Sequence, residues 1–121
     1  MLTVRKEQIQ VLDAHMMRKY EGRVIRKIAR SFPERYAQDG EEKTRLFVQA
    51  GIRKAGMYSI TEDNDVETYI LLLVERGIDF EQAPEMAECK EILQDTEIPA
   101  DAKVNLLCRE LAPERHATGQ N

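Results

Sequence analysis

An all-α fold, a compact bundle of about five helices with a long N-terminal amphipathic helix, is what this sequence predicts, and three observations carry the prediction. Apolar residues recur every three or four positions along most of the chain, the spacing of one helical face. The composition is 42% hydrophobic and 33% charged, with 6% aromatic residues and no Trp, which suits helices better than a sandwich built on aromatic and β-branched residues. Gly and Pro fall between the periodic stretches, where helices stop and start. At 121 residues the prior is one helical domain over 1–112, followed by a polar tail over 113–121 expected to be mobile.

The first helix is predicted over Val4 to Ser31, where Ile9, Leu12, Met16, Tyr20, Val24, Ile28 and Phe32 form one face and Gly22 is a candidate kink. Pro33 ends it, "PERYAQ" is read as one extra turn, and "QDG" at 38–40 as a turn before a second helix near Glu41. That helix places Leu46, Phe47, Ala50 and Lys54 on one side, with Val48 and Ile52 flanking. Gly51 within it costs about 1 kcal/mol against Ala, so a close helix crossing is the expected reason.

Gly56 and Gly77 each follow a helical pattern and precede a hydrophobic residue, Met57 and Ile78, the pattern of a Schellman-type cap. Between them Thr61 is the expected N-cap of a central helix over 61–76. Glu62, Asp63 and Asp65 favour its positive N-terminus. Its buried stripe is Val66, Tyr69, Ile70, Leu73 and Val74, widened by Leu71 and Leu72. A fourth helix is predicted from Ala83 or Pro84, carrying Met86, Cys89, Ile92 and Leu93, and a fifth from Pro99 with Val104, Leu107, Cys108 and Leu111 inward.

Charge is unevenly distributed. Residues 1–36 hold nine Lys or Arg against four Asp or Glu, and residues 61–100 two basic against twelve acidic. "RKYEGRVIRKIAR" at 18–30 could serve as a phosphate-binding stripe. The stronger reading is a solvated face, or a basic helix docked beside the acidic later helices, because the net charge is −4 and the stripe holds a single aromatic residue, Tyr20, so stacking residues do not alternate with the basic ones.

Catalytic and metal patterns are weaker still. "TEDND" at 61–65 resembles the start of a calcium loop, but counting from Asp63 the sixth position is Thr68 and the twelfth Val74, where an EF-hand needs Gly and Glu. His15 and His116 are far apart, with no metal-binding spacing and no glycine-rich phosphate loop. Cys89 and Cys108 lie in apolar-periodic segments, so buried reduced thiols are favoured over a disulfide, a metal ligand or a nucleophile. The expectation is a non-enzyme without cofactor or metal. "YILLLV" is too short to cross a membrane and "MLTVRKEQIQ" has no apolar signal core, which suggests a cytoplasmic chain.

The opening "MLTVRKEQIQVLDAHMMRKYEGRVIRKIARSFP" and the later "GIRKAGMYSITEDNDVETYILLLVERGIDF" resemble a group of small helical accessory proteins encoded in bacterial type VI secretion loci, near VgrG or PAAR spike genes and their toxic effectors. The resemblance spans about residues 1–95 and rests on Phe32, Pro33, Gly51, Ile52, Ala55, Tyr58, Ile60, Val66, Tyr69, Gly77 and Phe80. These are cap and core positions, and no catalytic residue is carried over. The chain departs from the group at "EMAECKEILQD", with Met86 near a position expected to be aromatic. The resemblance implies a cytoplasmic adaptor or chaperone-like module whose partner is a secreted effector or spike component.

Two further readings compete with the adaptor: an immunity protein using the acidic surface of 61–97 against a cognate toxin, and, more weakly, a DNA-binding regulator using 18–30. The expected contact surface is either the basic positions Arg18, Arg23, Arg26 and Arg30 or the acidic group Glu62, Asp63 and Asp65. An exposed strip of the first helix is also a candidate for self-association.

Overall fold

The computed structural model describes residues 14–111 and is all-α. Its helices are α1 (Ala14–Ser31), α2 (Pro33–Met57), α3 (Asp63–Arg76), α4 (Ala87–Gln94) and α5 (Ala100–Glu110), with short 3-10 turns at Phe80–Gln82 and Pro84–Met86. The portion of the first helix predicted before residue 14, and the tail from 112, lie outside the described residues. α1 packs on α2, α2 on α3, and α3 in turn meets α1 and α5, while α4 lies against α5. α3 is thus the central helix, as its apolar stripe predicts.

α1 runs through Gly22 without a break. It buries Val24, Ile25 and Ile28. Met16, expected on the same inner face, is 49% exposed. The buried carboxylate of Glu21 ties α1 to α2, accepting from Arg45 Nη1 at 2.7 Å and Gln49 Nε2 at 3.2 Å. This hydrogen bond is the main reason the Arg45 guanidinium holds its proton more tightly than usual.

Helical backbone resumes directly at Pro33, so "PERYAQ" forms more than an isolated turn, and the chain then kinks at Gly40 (φ 86°, ψ 169°). The predicted turn at 38–40 is therefore a kink within one helical stretch. Thr44 Oγ1 bridges it by donating to the Gly40 carbonyl at 2.7 Å. The inward face of α2 is Thr44, Val48, Gly51 and Ala55. Leu46, expected to be inward, is 61% exposed. Small residues take the contact because they let the α2 backbone approach α3: a Cβ at Gly51 would stand 2.9 Å from Ile70 Cγ1. The predicted close crossing is there.

α2 runs one residue past the predicted stop, to Met57, and its left-handed cap falls three residues beyond the predicted one. Gly56 is helical, and the residue with left-handed backbone is Ser59 (φ 65°). Thr61 is not the N-cap of α3 either, since that position falls to Glu62 (φ −78°, ψ 141°), whose side chain makes no capping hydrogen bond. The late end of α2 leaves Thr61 beyond Ile60 as a half-buried linker residue. α3 buries Val66, Tyr69, Ile70, Leu73 and Val74, and Leu71 and Leu72 pack partly against the same core. Burial of each such aliphatic side chain contributes about 1.5–3 kcal/mol. Gly77 (φ 109°, ψ 148°) ends α3 as its C-cap, donating to the Leu73 carbonyl at 2.7 Å.

Pro84 opens a 3-10 turn, and α4 begins later, at Ala87. The cause is upstream. Glu81, in the preceding 3-10 turn, is held by Lys54 and Tyr58, and Ala83 is extended (φ −69°, ψ 141°). α5 follows Pro99 as predicted, with Val104, Leu107 and Leu111 buried. Cys89 is buried and Cys108 half-buried. Burial, with Glu110 and Glu88 adding to it, pushes the Cys89 thiol up, away from reactive thiolate.

Candidate functional site

A groove of about 330 Å³ lies where the start of α1 faces Ile52 of α2 and the entry of α3. α1 supplies Met16, Met17, Lys19, Tyr20, Arg23 and Arg26, and Thr61, Asp63 and Val66 line the other side. Helical spacing explains the α1 contribution. Met16, Tyr20 and Arg23 follow one another at four and three residues, and Lys19 and Arg26 form a neighbouring row seven apart.

The walls are joined at specific atoms. Tyr20 donates its hydroxyl to the Asp63 backbone carbonyl at 2.9 Å, linking α1 to the first residue of α3. Burial raises the Tyr20 phenol above its ordinary value and the Asp63 carboxylate adds to the rise. The hydroxyl therefore stays a donor at neutral pH. The Arg23 guanidinium sits 5.1 Å from the Tyr20 ring centroid, a cation–π distance. Glu67 of α3 takes Arg23 at 3.5 Å and Lys27 at 2.9 Å. Part of the basic stripe is thus docked on acid from a later helix.

Of the residues singled out by sequence, Arg23, Arg26 and Asp63 come together in this groove. Arg18 and Arg30 are exposed on α1 outside its lining, and Glu62 and Asp65 stand at the α3 entry, also outside it. Burial raises the Asp65 carboxyl, with the charges of Asp101 and Glu62 contributing, so the acidic group extends onto the start of α5. Sequence reasoning did not single out Met17, Ile52 or Val66 as surface-groove residues. The adjacent Met16–Met17 pair was the available signal, since only one of two neighbours can sit fully on an inward stripe.

A second polar cluster is internal. Lys54 Nζ lies 2.8 Å from Glu81 Oε2 and 3.1 Å from Asp79 Oδ1, and also donates to the Ile78 carbonyl. Tyr58 donates to Glu81 Oε2 at 2.9 Å. Lys103, 3% exposed, donates to the carbonyls of Tyr58 and Leu93, each at 2.8 Å. These groups tie the end of α2 to the 79–82 turn, α4 and α5. None of them lines the α1–α3 groove. Among the described residues no group of three or more His, Cys, Asp or Glu is placed to hold a metal ion, and no helix is long and apolar enough to cross a membrane.

The groove offers an apolar floor with a largely cationic rim and no close nucleophile–base pair, an arrangement suited to holding an apolar side-chain row. No protein-family model matches the chain, and neither a curated protein nor a solved structure does.

Proposed function

We propose that the protein is a non-catalytic protein-binding accessory module and that the groove between α1 and the α3 entry is its contact surface. The observation that carries this reading is an apolar floor of Met16, Met17, Ile52 and Val66 open at the surface of a helical domain. Helix-in-groove recognition uses such a floor. Under the resemblance described above, the partner is a secreted effector or spike component, and the module acts as its adaptor or chaperone before secretion.

A photo-crosslinking residue at Met17, in the full chain co-expressed with neighbouring gene products, tests the proposal. The expected result is a stoichiometric adduct with one product, lost when Ile52, across the groove on α2, is replaced by Glu. Adducts only from a control site such as Arg53, on the exposed side of α2, would reject the groove.

Immunity is the second reading, favoured by the acidic group of Glu62, Asp63, Asp65 and Asp101 at the starts of α3 and α5. It predicts that loss of the gene poisons the producing cell, whereas loss of an adaptor lowers secretion and leaves the producer healthy. The DNA-binding reading is weakened because Glu67 engages Arg23 and Lys27.

A further inference from the structure

We infer that the groove takes an acidic amphipathic helix of a partner protein, its apolar row on Met17, Ile52 and Val66 and its carboxylates on Lys19 and Arg26. The inference rests on the protein-binding reading above and adds the partner's chemical class. Its ground is the charge of the lining, which holds three cations, Lys19, Arg23 and Arg26, against the single carboxylate of Asp63. Arg23 is engaged by Glu67. Lys19 and Arg26 are exposed and make no ion pair with a carboxylate among the described residues. Two cations are therefore available on the rim.

Their spacing defines the occupant. Seven residues apart on α1, Lys19 and Arg26 lie on one side of the helix, about 10.5 Å apart along its axis at 1.5 Å per residue. A helix lying alongside meets both with carboxylates at i and i+7, while residues at i+3 or i+4 between them turn apolar side chains toward the floor. Complementary charge of this kind sets encounter rate and partner choice. A nucleic acid would use the cations and leave the methionine floor unoccupied.

Three fluorescent helical peptides of about 18 residues, roughly 27 Å long, test the inference. They share one leucine row, and their flanks are Glu, Gln or Lys. Fluorescence anisotropy with the full chain at low and moderate salt is expected to rank them Glu, then Gln, then Lys. The acidic peptide should bind roughly tenfold more tightly than the basic one, a difference of about 1.4 kcal/mol, and should weaken as salt rises. K19E/R26E, which alters only exposed positions, should reverse the order while its circular dichroism stays that of the parent.

Equal binding of the three peptides, or an unchanged order in K19E/R26E, overturns the charge assignment. If Met17→Glu then abolishes binding, the groove reading survives alone. If no peptide binds and the Met17 crosslinker captures nothing, both fall. A crosslink from Met17 to a second copy, with concentration-dependent sedimentation, would replace the acidic helix by self-association. Preferential binding of an equally charged DNA duplex would replace it by nucleic acid.

Discussion

The amide of Ile60 donates to the carbonyl of Ala55 at 2.8 Å, and inside that loop the Ser59 amide donates to the Gly56 carbonyl at 3.0 Å. These are the two hydrogen bonds of a Schellman motif, with buried Ile60 and Ala55 as its hydrophobic pair. The left-handed position is filled by Ser59 at φ 65°, where a side chain costs about 1–2 kcal/mol that Gly avoids. Ser59→Gly should therefore stabilise the protein by about 1 kcal/mol in urea unfolding. Gly56 is helical and a Cβ there meets nothing within 4 Å. Gly56→Ala should also stabilise, by about 0.5–1 kcal/mol. A loss of stability in Gly56→Ala would return the left-handed cap to position 56.

Gly51→Ala is expected to act in the opposite direction. Helix propensity favours Ala by about 1 kcal/mol, but the new Cβ would lie 2.9 Å from Ile70 Cγ1 and 3.5 Å from Leu73 Cδ1. Ile70 and Leu73 are fully buried on the central helix, so relief requires α2 and α3 to move apart. Overpacking of this sort costs about 1–3 kcal/mol. The net effect should be a lower urea midpoint with an unchanged slope, and a raised midpoint would mean the crossing is looser than its geometry.

The helical class and the stripe of α3 were legible because Val66, Tyr69, Ile70, Leu73 and Val74 are large, apolar and regularly spaced. The inner face of α2 was not. Leu46 has the greater apolar mass, yet Thr44, Gly51 and Ala55 are the residues that admit close backbone approach, and periodicity weighs mass over closeness. Ser59 was missed because the two hydrogen bonds that reveal the cap are tertiary facts, whereas Gly56 carries the usual sign. At the candidate site, Arg23, Arg26 and Asp63 were each visible as charges. That they share one groove follows from the hydroxyl of Tyr20 reaching the backbone of Asp63, 43 residues away, and no local pattern encodes it.

Glu81 supplies a third prediction. Its side chain is fully buried, and Lys54, 11% exposed, is its cationic partner. Removing one member of a buried pair leaves a charge without compensation and costs about 3–5 kcal/mol. Lys54→Met should approach that range. Tyr58→Phe removes only one donor from Glu81 and should cost about 1–2 kcal/mol. Thermal or urea unfolding orders the two, and equal losses would show that Tyr58 carries as much of the carboxylate as Lys54.

Lys103 and Tyr58 pull the alkaline stability profile in opposite directions. Burial lowers the Lys103 ammonium below its ordinary 10.5, with Asp95 acting against the shift. Between that lowered value and 10.5 the unfolded chain holds the proton and the folded chain does not, so stability rises with pH across this window. The Tyr58 phenol is pushed up from 10.0 to about 12, first by burial and then by its hydrogen bond to Glu81. From 10 to about 12 the folded chain holds the proton longer, so stability falls as pH rises. Lys103→Met should flatten the rising limb, and Tyr58→Phe should soften the fall above pH 10, where Tyr20 and Tyr69, raised by burial in the same sense, continue to act. Lys103→Met also strips the carbonyls of Tyr58 and Leu93 of their donor, so the slope of the urea midpoint against pH, and not its value at pH 7, is the test. An unaltered rising limb in Lys103→Met would assign the proton uptake of the unfolded chain to another group.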